Sequence, residues 1–122
     1  MIYTSYFANY RNFPTLCIPV SIARYLPGHI KYMKELKLLA PSESLLSEYK
    51  KGKLKDRDYA LMYFDELRSK IEDVRAVLMQ LDYYDRYILL CYEKKGDFCH
   101  RHLLEIFVNE YLPELSIEFK EL

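Results

Sequence analysis

Tyr87-Ile88-Leu89-Leu90-Cys91-Tyr92 decides the fold of this chain. The run is continuously apolar, short, and followed by the charged turn Glu93-Lys94-Lys95-Gly96-Asp97. Such a run without alternation reads as a strand buried on both faces, the kind that parallel sheets covered by helices contain. Beyond the turn a helix begins near Asp97–Cys99, with Asp97 as its expected N-cap, and must stop before Pro113. At about 100° per residue, Leu104, Phe107, Val108 and Tyr111 fill one stripe of it.

Working outward, residues 1–8 are rich in β-formers and read as a first strand, with a loop at 9–14. Residues 16–23 form a second β-like run; Pro19 cannot donate to a ladder, which places that strand at an edge or beside a break. Pro27-Gly28 forbids a continuous helix over 24–37 and predicts a turn with a short helix after it. The middle third is helical. Ser42 caps a helix over 43–50, which Lys51-Gly52-Lys53 ends, and Asp56 is the candidate cap of the next. Ser69-Lys70-Ile71-Glu72 matches a capping box and predicts a new helix to about Leu81, an unbroken helix being the alternative. Residues 115–119 alternate as a last, half-exposed strand. The order predicts an α/β fold: a single small domain over 1–122, with a mainly parallel sheet of about four strands covered by helices.

Composition narrows the function classes. At 122 residues the chain suits one domain and one core, and 51% hydrophobic with 30% charged residues is the balance of a folded protein. Eighteen basic and eighteen acidic residues cancel, which argues against a general nucleic-acid coat. No apolar run approaches the ~20 residues needed to cross a bilayer, so no membrane partner is expected. Met1–Tyr6 lacks the basic and apolar segments of a secretory signal. Three cysteines at no framework spacing predict reduced thiols and a cytoplasmic location. The thirteen tyrosines are scattered and read chiefly as core rings with wet hydroxyls. Only Tyr3, Tyr6 and Tyr10 group as a candidate ligand wall.

Several segments together resemble the domain of unknown function 488 family. Leu89-Leu90-Cys91-Tyr92-Glu93 followed by Phe98-Cys99-His100-Arg101-His102 is similar to its closing motif. Residues 3–10, Pro19-Val20-Ser21-Ile22-Ala23-Arg24 and Leu39-Ala40-Pro41-Ser42 resemble earlier parts of its shorter subgroup, in the same order. Longer relatives carry an acidic Asp-x-Arg pattern where this chain has Ser21-Ile22-Ala23-Arg24. The resemblance implies a small intracellular bacterial or phage α/β protein, and names no reaction.

The chemistry sits at the strand–helix junction. A helix N-terminus exposes free N–H groups and partial positive charge, so it attracts anions and favours thiolate. Cys99, expected at the second helical position beside His100 and Arg101, is a candidate nucleophile; plain packing is the alternative. A phosphatase-type Cys-x5-Arg loop is absent, since Glu105 stands where the arginine belongs. Arg101 is a candidate anion ligand, or else a structural partner of Glu93. Arg24, after the second strand, is expected to converge with Arg101 on one sheet edge. His100 lies near the apolar stripe and is expected to be partly buried on a backbone carbonyl, with His102 facing solvent. Glu93 is the candidate acid–base or orienting group. Ser21 and Tyr6 complete the ligand-binding set.

No metal site is expected, because adjacent helical residues point about 100° apart and chelate poorly together. A Cys91–Cys99 redox pair lacks the usual Cys-x-x-Cys geometry, and no cofactor is expected. The expected partner is a small anionic ligand or nucleotide; the sequence leaves the oligomeric state open. The expected function is nucleotide or nucleic-acid processing in an anion-binding cleft, the alternative being a non-enzymatic interaction or regulatory protein whose Cys-His-Arg cluster is structural.

Overall fold

The computed structural model describes residues 1–93 and 98–122. Asp97, expected to cap the last helix, lies outside those residues. At the centre is β4, Tyr87–Cys91, with Ile88 through Cys91 fully buried. Alternation sends Leu89 into one apolar cluster and Ile88 and Leu90 into a second on the opposite face. Both faces are covered, and the continuous apolar run follows from that.

Strand β4 pairs in parallel with β1, Ile2–Tyr6, on one side and with β2, Ile18–Ser21, on the other. Beyond them lie β5, Phe119–Glu121, and β3, Lys34–Glu35, giving the order β3-β2-β4-β1-β5, parallel throughout. Among the described residues the sheet therefore has five strands rather than about four. The extra one is β3, where a short helix was expected: Leu36 N–H donates to Ser21 O and ties this segment to the edge of β2. Alternation at 115–119 misplaces the last strand, because Pro113–Leu115 takes a 3-10 turn and Ser116 adopts φ 50° before β5 begins.

Pro19 sits in an interior strand without breaking it. Ile18 and Ile22 N–H both donate toward β4, so the nitrogen of residue 19 faces away from β4. On that side pairing with β3 starts only at Val20, and no donor is missing.

Helices α1, Glu43–Lys50, α2, Asp56–Arg68, and α3, Ile71–Tyr84, connect β3 to β4, and α4, His100–Tyr111, leads toward β5. Leu45, Tyr63, Leu67, Val74, Leu78, Leu104, Phe107 and Val108 from all four form the main core over β1, β2 and β4. Tyr111, expected in the stripe of α4, lies at its rim and is part exposed. Asp56 is the first residue of α2 rather than its cap, and accepts from the Tyr49 hydroxyl at 2.6 Å. The break between α2 and α3 is real, but no capping box makes it. Ser69 donates its hydroxyl backward to Glu66 O at 2.7 Å, and Lys70 leaves the helical region with φ −133°.

Ser42 does cap α1, accepting from Leu45 N–H at 3.2 Å. Its own N–H and hydroxyl also donate to the Glu66 carboxylate, at 2.9 and 2.5 Å, clipping the start of α1 to α2. Ser42→Ala is expected to lower stability by about 1–2 kcal/mol in urea unfolding, the upper range for a lost N-cap. A change within 0.3 kcal/mol would mean the clip is ornamental.

Candidate functional site

The connection after β2 returns to β3 at one edge, whereas the chain after β4 runs through α4 to β5 at the other. Adjacent strands whose connections diverge leave a crevice at their carboxyl ends, the usual binding position in open α/β sheets. Between β2 and β4 that crevice is a cleft of about 290 Å³. Ala23, Arg24 and Tyr25 from the β2 end, Tyr92 and Glu93 from the β4 end, and Cys99 and His100 from α4 line it. Leu46, Tyr49 and Lys50 of α1, Tyr59 of α2, Pro41 and Phe98 close the helical side.

Aromatic rings dominate the wall. Tyr49 lies with its centroid 4.5 Å from Tyr59 and 5.9 Å from Phe98, and Tyr59 meets Phe98 edge-on at 5.8 Å. The Tyr49 hydroxyl is pushed up to about 12, by burial first and then by its bond to Asp56 and the charges of Asp56 and Glu93. Burial and the Glu93 charge also raise Tyr59 and Tyr92. These phenols stay protonated and act as donors. Glu93 is exposed at the mouth, near enough to bias all three.

Arg24 and Lys50 are the cations on the wall. The Arg24 Nε donates to Pro41 O at 2.9 Å, which anchors that side chain in the cleft wall. Among the described residues neither terminal nitrogen of Arg24 has a hydrogen-bond partner.

The start of α4 is built differently from the sequence expectation. Cys99 is the N-cap itself, with extended φ −153° and ψ 148°, not a second helical residue. It is buried and joined to Cys91 in a disulfide, the Cα atoms 7.3 Å apart. The expectation of reduced thiols is therefore corrected for this pair, and a bridged sulfur is no nucleophile. Spacing concealed the pairing, since eight residues separate Cys91 from Cys99. Cys17 remains free.

His100 is buried and its Nε2 lies 2.6 Å from Ile22 O. A carbonyl only accepts, so Nε2 carries the proton and Nδ1 presents its lone pair, 3.9 Å from Cys99 Sγ. Desolvation, with smaller contributions from the Arg101 and His102 charges, pushes His100 down to about 4, against the bond to Ile22. The ring is neutral at ordinary pH, on a backbone carbonyl as its position on the wheel suggested.

Arg101 points the other way, toward β1 and β5, and is fully buried. Its Nε donates to Glu121 at 2.9 Å, and Nη1 donates to Glu93 O at 2.6 Å and Cys91 Sγ at 3.1 Å. Nη2 has no partner among the described residues. The Tyr6 ring lies 5.9 Å from the guanidinium. Arg24 and Arg101 do not converge, because one step along α4 turns residue 101 away from the cleft that residue 100 lines. The ion-pair partner is Glu121 rather than Glu93, which contributes only its carbonyl. His102 is half-buried instead of solvent-facing, 2.6 Å from the same Glu121 oxygen. Burial alone raises Glu121, but the bonds from Arg101 and His102 prevail and hold it below the usual carboxylate range.

Ser21 is buried, its hydroxyl accepting from Ala23 N–H at 3.2 Å, which shapes the turn after β2. Tyr3, Tyr6 and Tyr10 form no common wall: Tyr3 packs on the second core cluster and Tyr10 lines a separate shallow groove with Arg11 and His29. Sequence reading missed Lys50, Tyr49, Tyr59, Phe98 and Glu121. The tyrosines fell at core spacing, and Glu121 lay too far along the chain to pair with residue 101.

A protein-family model described as the Active DUF488-N3 subclade matches residues 9–112. No curated protein and no solved structure matches the chain. No described helix is long and apolar enough to cross a membrane.

Proposed function

This chain belongs to the domain of unknown function 488 family, and on that footing we propose that the cleft between β2 and β4 binds and processes a small anionic ligand of nucleotide type. The observation that carries the reading is one cleft, at the point where strand connections diverge, walled by tyrosines and by an anchored arginine whose terminal nitrogens have no partner among the described residues. Rings accept a heterocycle by stacking, and a guanidinium fork accepts a phosphate or carboxylate. About 290 Å³ lies at the small end of ligand pockets and suits a mononucleotide or a single terminal residue of a polymer. Glu93 at the mouth is the candidate for proton transfer, and Lys50 adds a second positive charge. We place the protein in a bacterial or phage-infected cytoplasm, in keeping with the family resemblance.

A second reading draws on the burial of Arg101 and its partners. The Cys-His-Arg cluster then holds the junction together, while the cleft serves as a binding module without turnover. Calorimetric titration with nucleoside mono- and diphosphates and with inorganic phosphate tests the binding they share. Arg24→Ala is expected to weaken the best ligand ten- to hundredfold, the worth of about 1.5–3 kcal/mol for charge-assisted bonds. No binding at millimolar concentration, or an unaltered affinity in Arg24→Ala, defeats the proposal. Turnover of the bound nucleotide, lost in Glu93→Gln with binding retained, separates the enzyme from the module.

A further inference from the structure

We propose that Cys91, Cys99 and His100, once the disulfide is reduced, form a thiolate–thiolate–imidazole site for zinc, with the fourth coordination position open to the cleft. The proposal does not depend on what the cleft binds. The Sγ atoms of both cysteines and a ring nitrogen of His100 lie within 4.8 Å of one another, and all three side chains are buried. Cys91 comes from the end of β4, Cys99 from the N-cap and His100 from the first turn, so a strand and a helix each fix part of the set.

The objection from helix geometry does not apply. Cys99 has extended backbone and is not on the wheel, so its sulfur and the His100 ring turn toward each other. The Nε2–H to Ile22 O bond leaves Nδ1 as the free lone pair on the side of the sulfurs. A ligating histidine is usually held in just this way, by a carbonyl on its other nitrogen. Cα atoms 7.3 Å apart stand wider than disulfide-bonded pairs usually do, so the sulfurs can part around an ion once the bond between them is reduced. Arg101 Nη1–H donates to Cys91 Sγ, a bond that a metal-bound sulfur can keep.

Two thiolates and an imidazole select zinc or another soft divalent ion over magnesium or calcium. Cys99 and His100 line the cleft whereas Cys91 lies behind it, so the open position faces the cavity. Three protein ligands and one exchangeable position is the pattern of reactive rather than structural zinc. The chemistry balances with a dithiol reductant. It gives two electrons and two protons to the S–S bond and becomes a disulfide itself; zinc then displaces the two thiol protons to solvent.

The test uses the full chain carrying Cys17→Ser, reduced with a dithiol, freed of reductant without oxygen, and titrated with cobalt. One cobalt per chain is expected, with near-ultraviolet thiolate charge transfer and visible bands of a tetrahedral site, both bleached by one equivalent of zinc. Cys99→Ser in that background is expected to lose the charge-transfer band from one sulfur, and His100→Gln to weaken cobalt at least tenfold. Because either variant could misfold, alkylation of the two thiols in the parent is measured as well, and zinc should slow it at least tenfold. A reduced, folded parent that binds no cobalt, binds it without thiolate charge transfer, or shows no zinc protection overturns the proposal. No nucleotide is present in the assay, so its failure leaves the cleft reading standing and the reverse holds too.

Discussion

Arg101→Leu is expected to cost about 3–5 kcal/mol of stability, the penalty for breaking a buried ion pair by removing one partner. The guanidinium is fully buried and ties four parts of the chain together at one point: α4 through its own backbone, β5 through Glu121, the end of β4 through Cys91, and the residues after it through Glu93 O. Its removal leaves Glu121, 17% exposed, with only His102, and strands a carbonyl that had a 2.6 Å donor. Arg101→Lys keeps the charge but reaches fewer of these acceptors at once, so an intermediate loss is expected. Urea unfolding at constant slope measures it. A double-mutant cycle with Glu121→Leu should show strong non-additivity, since removing both charges avoids the stranded carboxylate. A loss under 1 kcal/mol for Arg101→Leu would contradict the structural role. Nucleotide affinity per folded molecule should not change, in contrast to Arg24→Ala.

The second large effect is acid lability above the carboxylate range. His100 sits at about 4 in the folded protein against an ordinary value near 6.5, with burial as the leading cause. Above pH 6.5 both folded and unfolded forms leave the ring neutral, and this group contributes no slope. Between 6.5 and 4 the unfolded chain takes up a proton that the folded protein refuses, so stability falls as pH falls. The full loss is about 3 kcal/mol, at up to ~1.4 kcal/mol per pH unit. Arg101 and His102 deepen the depression, Ile22 O opposes it, and the Tyr63 ring, its centroid 5.8 Å from that of His100, offers no charge. Glu121, held below its ordinary value, adds a loss in the same direction, but only below about pH 4.5. The window from 6.5 to 4.5 therefore isolates the histidine. Unfolding of the disulfide-bonded protein in chelator should show the slope there, and His100→Gln should flatten it. A wild-type profile level through that window removes the assignment.

How much of this was legible in the sequence follows from how local each cause is. The strand at 87–92 was readable because burial on both faces leaves no polar position in it. Ser42 as a cap and the break between α2 and α3 were readable for similar reasons, even though Ser69 makes the break by a backward bond rather than a box. Two-residue β3 was not, since its pairing depends on Ser21 O, on another strand. The site divides the same way. Arg24 and Glu93 follow strands whose ends were visible, so their place at the crevice could be anticipated. The opposed directions of His100 and Arg101 hinge on where α4 begins, and a shift of one residue there turned Cys99 from a helical thiol into a bridged cap. Glu121 belongs to a partner strand fixed only by tertiary packing.

The strand order has a kinetic consequence. Strand β1 lies between β4 and β5 and never touches β2, so each parallel pairing that includes it joins opposite ends of the chain. Among the described residues no hairpin nucleates this sheet, and every ladder except β2–β3 waits on the closure of a long loop. Helices α2 and α3, adjacent in sequence and in space, are the segment able to organise first. Residue 21 meets residue 90 across that whole helical segment, and the cleft comes into being with that meeting. Occupancy of the cleft thus reports on the finished sheet alone: a partly folded chain has helices to show but no place to hold a ligand.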